Sequence, residues 1–219
     1  MKKINQWLGI ILLLGGWACE GPAITPKEKE NNARSFILPV DQPLLPSGSQ
    51  QPIWFKRGTK VLLDEEEKVL TGTLRKHTTL RATGGNTPLI LKKGTEVVFQ
   101  PRDEGRILRG TLACDKALMS TGGRSYVSFK QGTEITFQPG DVGKVKQGTL
   151  NRDQTIVVYG GHYSLKFRAN TEVVFEGFGH VQKGTLAESA YLLPAGDYLP
   201  TLYTTGTVVT FDEQGRVVE

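Results

Sequence analysis

The chain has 219 residues, 38% of them hydrophobic and 22% charged, with a formal net charge of +5. That length fits one folded domain with processing segments and a real core. The weak, dispersed charge excludes an extended basic surface for nucleic acid, and 26 glycines without collagen periodicity point to many turns.

Lys2 and Lys3 precede an apolar run from Trp7 to Leu14, followed by "GGWAC" ending at Cys19. The run is too short to span a bilayer, and residues 1–18 read as a signal peptide. Cys19 directly after Ala18 resembles the lipobox of bacterial lipoproteins, which implies a lipid on Cys19. The pattern departs from the usual lipobox at Gly16, where Leu is expected, and at Trp17, where a small residue is expected. Gly16 and Ala18 also suit an ordinary signal peptidase, which would leave the protein secreted or periplasmic. Residues 19–35 carry "EGPAITPKEKENNAR", too polar to bury, and read as a disordered tether behind the lipidated Cys. The expectation is a folded body, residues 36–219, held at a membrane of a bacterial cell envelope by its N-terminal lipid. Cys114 is then the sole thiol, with no disulfide partner.

Three markers recur through the body. Gly-Thr stands at Gly58, Gly94, Gly132 and Gly206, with Asn170-Thr171 in the remaining place, at spacings of 36, 38, 38 and 36 residues. Gly-Thr-Leu recurs at Gly72, Gly110, Gly148 and Gly184. A Gly opening a tight pair recurs at Gly48, Gly84, Gly122, Gly160 and Gly196. Three markers in one order at one period define a repeat protein of about five units.

Each marker reads as a hairpin. The two-residue loops at Gly84, Gly122 and Gly160 need positive φ, which Gly supplies. They pair Leu80 with Leu89, Leu118 with Val127 and Ile156 with Leu165; the same rule pairs Leu192 with Thr201 and Leu44 with Ile53. The Gly-Thr marker reads as a three-residue loop closed by an αL residue, pairing Val127 with Ile135 and Phe129 with Thr133. Asn170 fits that reading because Asn is, after Gly, the residue that best accepts αL. "DEQGR" and "EGFGH" place Phe211 opposite Val217 and Phe175 opposite Val181, whereas "EEE" (Glu65–Glu67) lacks the Gly and should strain its turn. A fourth turn at Arg152–Gln154 pairs Leu150 with Ile156.

The expected fold is all-β: an antiparallel meander of about five 36–38-residue repeats with four short strands each, one face buried and one wet. Glu134 and Glu172 are expected opposite Gly148 and Gly184 across the ladder. At the two ends of the array the same places hold Val208 and Phe36, and residues 206–219 plus 36–57 sum to one 36-residue repeat. Pairing of the N- and C-terminal strands would therefore close the array. A five-bladed β-propeller is the alternative architecture, disfavoured because no two- or three-residue loop crosses easily between blades. The "GTEVVF…G…GTL" units over residues 50–219 resemble MORN repeats, without their regular Tyr-Gly spacing. That resemblance implies scaffolding or membrane-associated roles rather than a chemistry.

No residue pattern points to catalysis. His77, His162 and His180 fall at different turn positions, and no His, Cys and Asp cluster has metal-ligand spacing, so neither metal nor cofactor is expected. Glu96, Glu134 and Glu172 recur as outward residues of strand starts, which explains them without acid–base work. Cys114 lacks an activating partner, and "DEEEK" (Asp64–Lys68) reads as a solvated hairpin tip before it reads as a Ca²⁺ site. Binding is better served by aromatic residues on or near turns: Trp54, Tyr159, His162, Tyr163, Phe178 and Tyr198. Against this, Trp54 and Tyr163 have a plain role as cross-strand packing partners. The expected function is a protein- or glycan-interaction module, with a non-ligand-binding envelope scaffold as the alternative.

Overall fold

A computed structural model describes residues 34–120, 126–140, 143–160 and 163–218. The signal peptide, Cys19 and nearly all of the tether lie outside these residues, as does His162. The body opens with β1 (Ser35–Ile37), then β2 (Gln42–Leu44), β3 (Ile53–Phe55), β4 (Lys60–Leu63) and β5 (Val69–Thr73). The next unit holds β6 (Thr78–Arg81), β7 (Pro88–Leu91), β8 (Glu96–Phe99) and β9 (Ile107–Thr111). The third holds β10 (Lys116–Met119), β11 (Tyr126–Phe129), β12 (Glu134–Phe137) and β13 (Val145–Thr149). The fourth holds β14 (Gln154–Val157), β15 (Ser164–Phe167), β16 (Glu172–Phe175) and β17 (Val181–Thr185). The last consists of β18 (Ala190–Leu192), β19 (Thr201–Tyr203), β20 (Val208–Phe211) and β21 (Val217–Val218).

The repeat is all-β and antiparallel, but it divides its strands between two layers. Eleven strands form one sheet in the order β1-β4-β5-β8-β9-β12-β13-β16-β17-β20-β21. The other ten form five separate hairpins: β2-β3, β6-β7, β10-β11, β14-β15 and β18-β19. The five hairpin registers are those the turn chemistry predicts, Leu44 with Ile53, Leu80 with Leu89, Leu118 with Val127, Ile156 with Leu165 and Leu192 with Thr201. Phe211 faces Val217 and Phe175 faces Val181, again as expected.

The eleven-stranded sheet is the expected antiparallel meander, but it does not run through all four strands of a repeat, because the chain leaves the sheet at every Gly-Thr-Leu and returns at every Gly-Thr. Val127 does not pair with Ile135, nor Leu150 with Ile156; instead β12 lies between β9 and β13, and Phe129 meets Leu150 in an isolated bridge. Strands β4, β8, β12, β16 and β20 share the pattern exposed, buried, half-buried, buried, so each sends two apolar side chains inward, as in Val97 and Phe99. The hairpins return Phe55, Leu91, Phe129 and Phe167 onto that inner face, all essentially inaccessible to solvent. Edge-to-face contacts tie hairpins to the strands of the following unit, Phe55 to Phe99 at 6.4 Å and Phe129 to Phe175 at 6.3 Å. One uninterrupted sheet also excludes a propeller of separate blades.

The glycines of Gly-Thr-Leu are explained by this layering rather than by a turn. Gly148 stands opposite Ile135, and Gly72 opposite Val97, not opposite the glutamates. Glu134 faces Thr111, and Glu172 faces Thr149. The difference is one residue of register, and one residue flips a strand's faces. A Glu aligned with the buried Gly would carry its carboxylate into the core beneath Phe129. The observed register leaves the glutamates outside, where Arg109 reaches Glu96 at 2.8 Å and Glu134 at 3.8 Å.

The Thr of Gly-Thr has its own task. Thr95, Thr133 and Thr171 each donate from Oγ1 to the carbonyl three residues back, at 2.6–2.7 Å. The preceding residue is αL, with φ of 75° at Gly132 and 59° at Asn170. Glu67 takes φ of 58° where Gly179 and Gly215 stand in sister turns, the strained turn expected from "EEE". Strands β1 and β21 lie at opposite edges of the sheet, and no ladder joins them.

Candidate functional site

The tip of the first hairpin touches two sheet turns. In the first unit the tip runs parallel to its own strand, Val69 N–H donating to Leu45 O and Ser47 N–H to Val69 O, both at 2.9 Å. Fully buried Ser47 then bridges the two turns: its hydroxyl donates to Asp64 Oδ2 at 2.6 Å and accepts from Arg102 N–H at 2.9 Å. Its carbonyl accepts from Gly105 N–H at 2.9 Å. Asp64 Oδ1 holds the turn through the amides of Glu66 and Lys68. Burial pushes the Asp64 carboxyl upward, but the hydrogen bonds from Ser47 and from these amides outweigh it and leave the pKa below the ordinary carboxylate value.

This stacking leaves a groove between consecutive hairpins, floored by the turn of the later unit. Between the first two hairpins it is a cavity of about 400 Å³ lined by Gln51, Thr79, Arg81, Pro88, Glu104 and Arg106. Between the last two it is a cavity of about 440 Å³ lined by Tyr163, Tyr191, Leu193, Pro200, Gln214 and Arg216. The correspondence is residue for residue, since Leu80 and Leu192 hold the same hairpin place and Ile107 and Val217 bridge the tips alike. One architectural position is thus polar at one end of the array and aromatic at the other.

The cations on the two floors differ most. Arg106 is occupied: it donates to Gly85 O, and to Glu104 at 3.1 Å, with Asp103 at 3.7 Å. At the equivalent place Arg216 has Gln214 instead of a glutamate beside it, and no ion-pair partner among the described residues. Tyr163 forms a fixed wall, because its hydroxyl donates to Gly215 O at 2.6 Å. Burial raises the Tyr163 pKa, so the phenol remains a neutral donor across ordinary pH. Tyr191 projects on the other side at 73% exposure.

The residues singled out in the sequence separate accordingly. Tyr163 lines this groove, and Tyr198, 94% exposed, stands in the loop that supplies Pro200. Exposed Phe178 holds, by register, the turn position that Gln214 holds one unit later. Tyr159 packs half-buried against the core with its pKa raised by burial, and Trp54 lies opposite Pro43 on the first hairpin, remote in sequence and register from the aromatic groove. Tyr191, Gln214 and Arg216 were not legible as a site. The available signal was their departure from Thr79, Glu104 and paired Arg106, which appears only once the hairpin-to-turn stacking is known. Cys114 is exposed. Among the described residues no group of three His, Cys, Asp or Glu side chains is arranged to hold a metal ion.

No protein-family model matches the chain, and no curated protein or solved structure matches it either.

Proposed function

We propose that this chain is a glycan-binding β-repeat module of a bacterial envelope, tethered through a lipid on Cys19. The observation that carries the binding reading is the conversion of one repeated groove into an aromatic cleft whose Arg216 guanidinium has no ion-pair partner among the described residues. A repeat protein supplies its own comparison. Residues that the fold needs recur in every unit, whereas Tyr163, Tyr191 and Gln214 stand where the first groove has Gln51, Thr79 and Glu104, and so leave Arg216 without the glutamate that pairs with Arg106.

The chemistry favours an acidic sugar. Tyr163 and Tyr191 offer ring faces on which a pyranose stacks through its C–H bonds, Gln214 offers an amide to hydroxyls, and Arg216 offers a fork of donors to a carboxylate. Locking of Tyr163 onto Gly215 lowers the ordering cost of binding. Titration of the isotopically labelled protein with oligogalacturonate, and with a neutral cello-oligosaccharide for comparison, tests this. Saturable shifts at Tyr191 and Arg216 with the acidic sugar alone are expected. Shifts absent from the groove, or equal with both sugars, would return the protein to the scaffold reading.

A further inference from the structure

On the opposite rim, where the chain re-enters the sheet, a third cavity of about 450 Å³ lies between the first and second units. Four cations line it: Lys56 and Arg57 from the turn after β3, Arg75 after β5, and Lys93 after β7. Its single carboxylate, Asp41, is already committed, accepting from Arg57 N–H at 2.6 Å and pairing with the Arg75 guanidinium. Lys56, Arg57 and Lys93 have no ion-pair partner among the described residues.

Comparison of the units shows that the fold does not require the charges of Arg57, Lys93 and Arg75, whereas the place of Lys56 is cationic again as Lys92, Lys130 and Arg168. The place of Arg57 and Lys93 is taken by Gln131, Ala169 and Thr205 in later units, and that of Arg75 by Ala113, Asn151 and Ala187. What recurs is the backbone bond: Asp115 accepts from Gln131 N–H at 2.6 Å and Asp153 from Ala169 N–H at 2.7 Å, as Asp41 does from Arg57. The turn thus uses the amide of Arg57, whose guanidinium forms no ion pair among the described residues. Like charges gathered around one hollow repel one another in the empty protein. An anion entering the hollow would remove that repulsion.

We propose that this cavity binds a phosphate group. A tetrahedral dianion presents several oxygens at once to an Arg fork and to Lys ammonium groups, which one carboxylate cannot do. Free phosphate and the headgroup of an anionic lipid share this chemistry.

The full chain is titrated with inorganic phosphate, and separately sedimented with phosphatidylcholine vesicles containing or lacking phosphatidylglycerol. Arg57→Gln and Lys93→Gln copy the residue that Gln131 already places in the same turn, so their melting temperatures should match wild type. Each should weaken binding about tenfold, the loss of one charge-assisted bond. Loss in the phosphate titration identifies a free phosphate site. Loss confined to phosphatidylglycerol vesicles identifies a headgroup site. Lys183→Gln, on the outer sheet face, should change neither. Binding that survives both cavity variants, or falls equally in Lys183→Gln, overturns the proposal.

Discussion

Gly184 lies against the ring of Phe167: a Cβ on Gly184 would stand 2.6 Å from Phe167 Cδ1 and 2.8 Å from Cε1. Gly148 meets Phe129 in the same way at 2.7 and 3.0 Å, and Gly72 meets Phe55 at 2.7 and 2.8 Å. The hairpin layer can seat its aromatic side chains only where the sheet strand lacks a side chain. This contact, repeated down the array, fixes the distance between the layers.

Gly184→Ala should therefore destabilise the protein by about 1–3 kcal/mol through overpacking, despite the better strand propensity of Ala. Gly110→Ala should cost less, because Leu91 faces it at 3.0 Å with a more adaptable side chain. Chemical denaturation of the two variants checks the order. Equal stability of both with wild type would mean that the layers are not in register as described.

The αL turns make a second set of expectations. Asn170→Gly should be nearly neutral, since it retains the conformation and gives up only the exposed contact from Lys130 Nζ to Asn170 Oδ1. Asn170→Val should cost about 1–2 kcal/mol, the penalty for a bulky residue at positive φ. Glu67→Gly should gain stability of up to about 1 kcal/mol by relieving φ of 58° in that turn. Thermal melts of the three variants should rank Glu67→Gly highest and Asn170→Val lowest.

How far the sequence disclosed this fold follows from what each residue type can express alone. Gly84, Gly160 and Asn170 are local signals, because positive φ is a property of one residue and its turn. The five hairpin registers were legible for that reason. Gly148 and Gly184 are signals of a long-range contact, and from sequence they could not be told from turn glycines. The two-layer division was hidden behind that ambiguity, since a strand that pairs with its neighbour and one that folds back over it have the same alternation. Tyr163 was legible as a turn aromatic, whereas Arg216 acquires meaning only beside Arg106.

Acid should weaken the array in a defined window. The Asp41 and Asp115 carboxyls are held below the ordinary value chiefly by the amides of Arg57 and Gln131, and Asp64 is lowered by Ser47 and its turn amides. Because these folded values lie below the unfolded value of about 3.9, the stabilisation is complete above that pH and is lost as pH falls through the folded values. Melting temperature should be flat from neutral pH to about pH 5 and fall below about pH 4. Asp64→Asn should be less stable at neutral pH and show a shallower acid decline. An unchanged decline in that variant would remove Asp64 from the account.

The reading of the chain as a binding module rests on the departure of one groove from its repeat. Its most direct measurement is a transfer of residues between grooves: Tyr191→Thr with Gln214→Glu, which gives the last groove the equivalents of Thr79 and Glu104 of the first. Glutamate beside Arg216 should neutralise it as Glu104 neutralises Arg106. Calorimetric titration with oligogalacturonate should then show binding abolished while the melting temperature stays within error of wild type. Undiminished binding in the transferred groove would contradict the account.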